Sequence, residues 1–350
     1  MNQAKFSWIV PTCSGAHDTH IEMPSYERFQ YSTTRETALL CESLGYDSLW
    51  IPDHLIFGDR GEVAECWTLL SALAAVTKRI RLGPLVLCEA HRNPALVAKM
   101  VSTLDNICEG RVNYGVGAGW RKIEQVSYGL PWLEKPSDRV KRMEEGIEIV
   151  RRMWTEDRPN FKGSYYAIRD ATCNPKPVQK PHPPIWIAAH GEKMLKLVAK
   201  YADGWNWMST TVDEHQKLID TIRESCKRIG RNHDSITMSW EGRILIAKSR
   251  ADLKEKIDAV HRLNPHYPLS LDRKVMEVPA YESVQRDVLG ASGEVIDFRA
   301  QGLVGTPEEV IERMRRYMDV GVQHFILQFL DYPSTDGIEL IAEKVMPALR

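Results

Sequence analysis

The residues from Arg79 to Trp120, RIRLGPLVLCEAHRNPALVAKMVSTLDNICEGRVNYGVGAGW, read strand, loop, helix, strand and glycine-rich loop without a gap. Arg81 to Leu87 is an apolar run too short for a helix. Asn93-Pro94 opens a helix, because Asn93 can cap it and Pro94 suits the first helical position, where no amide hydrogen is needed. Glu109-Gly110-Arg111 closes that helix, with Gly110 as the left-handed residue. Val112 to Val116 forms the next strand and ends on Gly117-Ala118-Gly119-Trp120. Two successive strands joined by a helix imply a parallel pair. In α/β proteins the loops at the carboxyl ends of such strands carry the chemistry.

The same alternation runs along the whole chain. Strands are expected at Phe6–Pro11, Ser48–Pro52, Pro184–Ala189, Gly204–Met208, Ile236–Ala247 and His324–Phe329. Helices are expected at Ser32–Leu44, Glu65–Val76, Ser137–Trp154, Glu192–Tyr201, Asp213–Ile229, Thr306–Val320 and Thr335–Leu349, with Ser137 and Thr306 as caps. Phe161–Ile168 around Gly163 reads as an outer hairpin. Eight strands, each followed by a helix, over residues 1–350 fit one closed (β/α)8 TIM barrel better than an open sheet. Asn264 to Gln301 breaks the rhythm with Pro265, Pro268, Pro279, Gly290 and Gly293. An insertion of that length after strand seven is expected to form a lid or binding loop over the mouth of the barrel.

Composition narrows the function. The net charge of −1 offers no basic surface for nucleic acid or an anionic membrane. No apolar run approaches the ~18 residues of a spanning helix, and Met1 to Thr12 lacks a signal-peptide pattern. The seven cysteines include no CxxC, which fits reduced, mostly buried thiols and a cytoplasmic protein. His17 and His20 form an HxxH with no third ligand at metal spacing, so no metal is expected; His17 then lines a pocket or faces solvent.

Several residues at strand ends could carry chemistry. His54, after strand two in LWIPDH, suits proton transfer or a hydrogen bond to a cofactor ring, or is a structural histidine. Leu85-Val86 closes strand three beside an irregular Gly83-Pro84, and reads by composition as core. The glycines of Gly117-Ala118-Gly119-Trp120 admit either a close approach to a flat ring or phosphate, or a tight turn. The spacing is not a dinucleotide fingerprint, since the GxGxxG pattern and its acidic partner are missing. Ala189-His190-Gly191-Glu192-Lys193 enters a helix whose first turn could hold an anion. Glu89 and His91 are further pocket candidates. Among the ten tryptophans most belong to the core, while those at strand ends would line an aromatic pocket.

Gly45-Tyr46-Asp47-Ser48-Leu49-Trp50 with Asp53-His54, Arg92-Asn93-Pro94, Gly110-Arg111, Gly115-Val116-Gly117-Ala118-Gly119-Trp120, Tyr128-Gly129, Cys173 to Gln179, Pro181 to Ile185 and Tyr201-Ala202-Asp203-Gly204 together resemble the luciferase-like flavin and deazaflavin oxidoreductases. The resemblance covers essentially the whole chain and leans towards the members that use coenzyme F420. It implies a tricyclic ring across the barrel mouth, and a non-prolyl cis peptide near Leu85-Val86 beneath that ring. It further implies that Asp53 and His54 lie at the ring, with His54 the catalytic group. Gly117, Ala118, Gly119 and Trp120 would run along the ring, and Ala189, His190, Gly191, Glu192 and Lys193 would take the phosphate end. Trp8, His17, Trp120 and Trp207 would wall the substrate space. The chain departs from F420-dependent sugar dehydrogenases, which are expected to carry a glutamate where Trp120 stands and a tryptophan where Gly58 stands. The resemblance implies hydride transfer between F420 and a small organic substrate in a homodimer. The alternatives are an FMN-dependent monooxygenase fed with reduced FMN by a separate reductase, and a flavin-binding protein without turnover.

Overall fold

The computed structural model describes residues 3–13, 15–16, 21–24, 26–57, 61–264 and 302–350. Strand and helix alternate as the spacing predicts: β1 (Lys5–Ile9), α1 (Tyr31–Ser43), β2 (Ser48–Ile51), α2 (Cys66–Val76), β3 in two pieces (Arg81–Pro84 and Leu87–Cys88), α3 (Pro94–Ile107), β4 (Tyr114–Gly117), α4 (Lys122–Ser127), α5 (Pro136–Thr155), β5 (Ile185–Ala188), α6 (Glu192–Tyr201), β6 (Gly204–Asn206), α7 (Val212–Arg228), β7 (Thr237–Ile246), α8 (Arg250–Leu263), α9 (Pro307–Val320) and β8 (His324–Phe329). Pairing runs from the first piece of β3 through β2, β1, β8, β7, β6, β5 and β4 to the second piece of β3, all parallel. The two ends of this order belong to one strand, so the sheet closes on itself as a (β/α)8 barrel. β3 changes neighbour along its length. Its first piece pairs with β2 and bridges to Val112 through Leu82, and its second piece pairs Leu87 with Val116 of β4. A short strand, Leu303–Gly305, adds to the far end of β7.

Side chains alternate in and out along each strand, and this parity sets the interior. Ser7 of β1, Ser48 of β2 and His324 of β8 meet inside the barrel, with Ser7 Oγ 2.5 Å from both Ser48 Oγ and His324 Nε2. One layer nearer the carboxyl ends, Ile9, Trp50, Trp186 and Ile326 pack together, with Leu85 and Val86 against them. The Trp50 and Trp186 rings meet edge to face at 5.1 Å. This layer is the floor of the barrel mouth. The opposite parity, Phe6, Trp8, Leu49, Ile51, Phe325 and Leu327, packs outward into the main core with the helices. Burial drives the His324 pKa down to about 3, so the ring is neutral at physiological pH.

The helix ends follow local chemistry. The Asn93 side chain accepts from Ala95 N–H at 2.9 Å with Pro94 at the first position, Gly110 has φ +86°, and Thr306 N–H donates to the Glu309 carboxylate at 3.0 Å. α5 begins one residue earlier than expected. Pro136 takes the first position after Lys135, so Ser137 lies inside the helix rather than capping it. The hairpin forms as expected, with Phe161 paired to Ile168. α4 and α8 depart from the expected pattern. α4 is a six-residue turn behind the glycine loop, and α8 is an amphipathic helix capped by Ser249 that buries Leu253, Ile257 and Val260. The expected lid from Asn264 to Gln301 lies, after Asn264, outside the described residues. Among the described residues, no helix is long and apolar enough to cross a membrane.

Candidate active site

Strand parity brings Ala188, Asn206 and Glu241 to the carboxyl-terminal mouth, where a cavity of about 400 Å³ opens. That volume falls within the range of small-molecule sites. Its base is the break in β3, where Leu85 and Val86 are joined by a cis peptide. Gly117, Ala118, Gly119 and Trp120 line the cavity with Ala188, Ala189, His190, Gly191, Met194, Trp207 and Met208, and His54 stands at its rim.

The glycine motif serves β3 first. A Cβ on Gly115 would lie 2.2 Å from Pro84 O, and one on Gly117 would lie 2.9 Å from Val86 Cγ2. Both distances are shorter than Cβ atoms adopt, so a side chain at Gly115 would strike the backbone of β3 and one at Gly117 would displace the Val86 side chain. Gly119 is held at φ +76°, and a Cβ there would meet Cys88 Sγ at 2.6 Å. The same absence of side chains leaves Val86 and the backbone of residues 117–119 as one smooth cavity wall.

Asp53 and His54 have different duties. The Asp53 carboxylate is buried and bidentate with Arg92, with Nη1 to Oδ2 at 2.8 Å and Nη2 to Oδ1 at 3.0 Å. Oδ2 also accepts from Cys88 N–H at 3.1 Å, and His91 Nδ1 stands 3.4 Å away. Burial alone would raise the Asp53 pKa. The facing His91 and Arg92 outweigh it and hold the carboxyl below the usual range. Burial works against the His91 cation too, but Asp53 and Cys88 lift its pKa to about 10. Asp53 therefore ties Cys88, in the second piece of β3, to the start of α3, and its oxygens are committed to that task.

His54 turns to the cavity. Its Nδ1 lies 2.9 Å from Glu124 Oε1 and 3.1 Å from Oε2, and its ring packs at 4.9 Å from Phe57 and 5.9 Å from Trp120. Glu124 Oε1 also accepts from Leu55 and Ile56 N–H at 3.3 Å each. Arg121 places its guanidinium 4.5 Å over the Phe57 ring and its Nε 3.9 Å from Glu124. Across the cavity His190 stacks on Trp207 at 4.8 Å with a 28° tilt. Asn206 donates to Glu241 Oε2 at 2.6 Å and accepts from the Ser239 hydroxyl at 3.0 Å.

The structure thus gathers Asp53, His54, Leu85, Val86, Gly117, Ala118, Gly119, Trp120, Ala189, His190, Gly191 and Trp207 around one cavity. It does not bring Glu192, Lys193 or Trp8 there. Glu192 is exposed and pairs with Lys196 at 2.7 Å one turn along α6, and Lys193 lies on a separate surface groove. The first turn of α6 presents Met194 inward and those two outward. Trp8 has outward parity, is fully buried and packs 5.7 Å from Tyr332. Glu89 and His91 also stay out of the lining: Glu89 is locked between Arg142, at 2.7 Å, and the Tyr166 hydroxyl. His17, His20 and Gly58 fall outside the described residues. The sequence reading missed Arg121, Glu124, Gln125, Asn206 and Glu241. For Asn206 and Glu241 the signal was available, since each lies two residues along its strand from an inward small residue, Gly204 and Ser239.

Comparison with known proteins agrees with this architecture. A family model described as luciferase-like monooxygenase matches residues 4–324. A protein of Microbacterium testaceum named F420-dependent glucose-6-phosphate dehydrogenase is 28% identical over 339 residues, covering 93% of this chain and 96% of its own length. A Mycobacterium bovis protein named phthiodiolone/phenolphthiodiolone dimycocerosates ketoreductase is 27% identical over 324 residues, covering 81% and 84%. The solved structure of an F420-dependent secondary alcohol dehydrogenase in complex with an F420-acetone adduct has a TM-score of 0.76 at 21% identity and covers 99% of both chains, a likeness of fold. A match of that extent, on a parallel barrel whose mouth is built around a broken third strand, places this chain in the luciferase-like monooxygenase family of oxidoreductases.

Proposed function

We propose that this chain is an F420-dependent oxidoreductase that interconverts an alcohol and a carbonyl compound on a small organic substrate. The observation that carries the reading is the His54 imidazole, held by Glu124 at the rim of a cavity whose base is Leu85-Val86 and whose wall is free of side chains at Gly117 and Gly119. A flat tricyclic ring fits a smooth apolar slot of this kind. Leu85 and Val86 would support one face, Gly117 to Trp120 would border it, and Ala189 to Gly191 at the start of α6 would receive the phosphate end. The names of the relatives favour F420 over FMN.

When bound, the deazaflavin supplies a carrier for hydride, and the protein supplies position, polarity and a proton path. His54 accepts or returns the substrate proton at the cavity rim. Trp120, Met194, Trp207 and Met208 give the substrate space an apolar character. Trp120 stands where a sugar dehydrogenase is expected to present a carboxylate, and this favours an apolar alcohol or ketone over a sugar phosphate. The same reading takes the chain as a cytoplasmic homodimer.

Titration of the purified chain with F420 and with FMN, followed by a panel of alcohols under anaerobic conditions, tests the reading. It expects F420 to bind and be reduced by at least one apolar alcohol. Binding of FMN alone, with oxygen uptake when the FMN is reduced, would assign a monooxygenase instead.

A further inference from the structure

We propose that Glu124 is the positioning residue of this site. It fixes the tautomer of His54 so that the hydrogen stays on Nδ1 and Nε2 is the atom that takes and gives the substrate proton. The inference rests on the functional reading of the cavity above, and deepens it.

An ionised carboxylate only accepts hydrogen bonds. Glu124 Oε1 already accepts from the Leu55 and Ile56 amides and lies 2.9 Å from His54 Nδ1, so the hydrogen on that contact belongs to Nδ1. The proton that comes and goes is then the one on Nε2. Glu124 is oriented without help from His54. The Leu55 and Ile56 amides donate to Oε1, and Arg121 flanks it at 3.9 Å. Its side chain is only 3% exposed, so water competes little for Nδ1. Phe57 and Trp120 restrict rotation of the ring from two other sides. In dehydrogenation the substrate O–H bond breaks and its proton passes to Nε2. The neighbouring C–H bond breaks with both electrons, which leave as hydride to the redox cofactor, and a carbonyl group forms. The reverse direction returns the proton from Nε2.

Glu124→Gln tests this with little change of volume. The amide offers a donor as well as an acceptor, so it no longer dictates which ring nitrogen is protonated. Nitrogen-15 spectra of histidine-labelled protein, with the His54 signals identified by their loss in His54→Asn, report the tautomer without any cofactor. The wild type is expected to show the neutral ring protonated at Nδ1, and Glu124→Gln a mixture or the opposite tautomer. With F420 and a turned-over alcohol, Glu124→Gln is expected to lose about 100-fold or more in kcat, as a mis-set tautomer does in other enzymes, with KM and F420 affinity changed less than about threefold. Glu124→Asp, which restores an acceptor, is expected to recover the Nδ1 tautomer and part of the rate, and serves if the amide variant does not fold. A wild-type ring protonated at Nε2, or a Glu124→Gln enzyme with wild-type kcat, overturns the inference. If the wild type fails to bind F420, the functional reading falls, and the nitrogen-15 signals still decide whether Glu124 sets the tautomer.

Discussion

Arg92 grips the Asp53 carboxylate with two nitrogens, at 2.8 and 3.0 Å, where β2 ends and α3 is about to begin. The same carboxylate receives the amide of Cys88, two residues past Val86. The ion pair is therefore the bracket that holds the broken strand against its neighbour. Asp53→Asn would leave Arg92 and His91 facing a neutral amide in a buried place. Removing one partner of a buried pair typically costs about 3–5 kcal/mol. Urea unfolding is expected to show a loss at the low end of that range, since Arg92 keeps Glu65 at 2.5 Å. A loss under ~1 kcal/mol would mean that the bracket contributes little.

The fit of β4 against β3 makes a second prediction. Gly117→Ala puts a methyl group 2.9 Å from Val86, and Gly115→Ala puts one 2.2 Å from a carbonyl oxygen that cannot move aside. Overpacking of this kind costs about 1–3 kcal/mol. Gly115→Ala is expected to be the more damaging in thermal unfolding. Gly117→Ala should retain the fold while shifting Val86 into the cavity, so its effect should appear mainly as weaker cofactor binding.

His190 and Trp207 stack on the side of the cavity opposite His54. A stacked aromatic pair contributes about 0.5–1.5 kcal/mol beyond its buried area. Trp207→Ala is expected to weaken F420 binding by about tenfold in a fluorescence titration, with global stability less affected. Glu192→Ala and Lys193→Ala, whose side chains lie off the cavity, should bind the cofactor as the wild type does.

Stability should depend on pH through the barrel interior beneath the floor. His324 is neutral in the fold, with a pKa pushed down to about 3 by burial, and titrates near ~6.5 when unfolded. Between those values the unfolded chain binds a proton that the native chain refuses, so stability falls as pH drops below about 6.5. From about pH 7.5 to about pH 5.5 this one group accounts for about 1.4 kcal/mol. His324→Gln should flatten the measured pH slope by that amount, whatever it does to stability at neutral pH. An unchanged slope would show that the buried ring is not the source.

Much of the barrel was legible because its local signals agree. Asn93-Pro94, Gly110 and the Thr306-to-Glu309 box set helix ends by chemistry confined to a few residues, and the β8 and α6 boundaries fall where the pattern puts them. The lining of the cavity was legible wherever a strand end named its position, as at His54, Gly117 and His190. It was not legible where the third dimension decides. Trp8 and Ile9 are neighbours in sequence, yet closure of the barrel sends one to the helices and the other to the interior. Glu124 reaches His54 across 70 positions from a six-residue helix with no periodic pattern to mark it. The direction of the first turn of α6, which sets Glu192 and Lys193 off the cavity, has no mark in the sequence either.

The central claim is that the cavity above Leu85-Val86 takes a deazaflavin and uses it for hydride transfer. Anaerobic incubation of the chain with oxidised F420 and a series of apolar alcohols, followed by the loss of the cofactor's visible absorbance, tests it most directly. The account predicts bleaching with at least one alcohol, abolished in His54→Ala with F420 still bound. Binding of FMN with no binding of F420, or bleaching that survives His54→Ala unchanged, would contradict it.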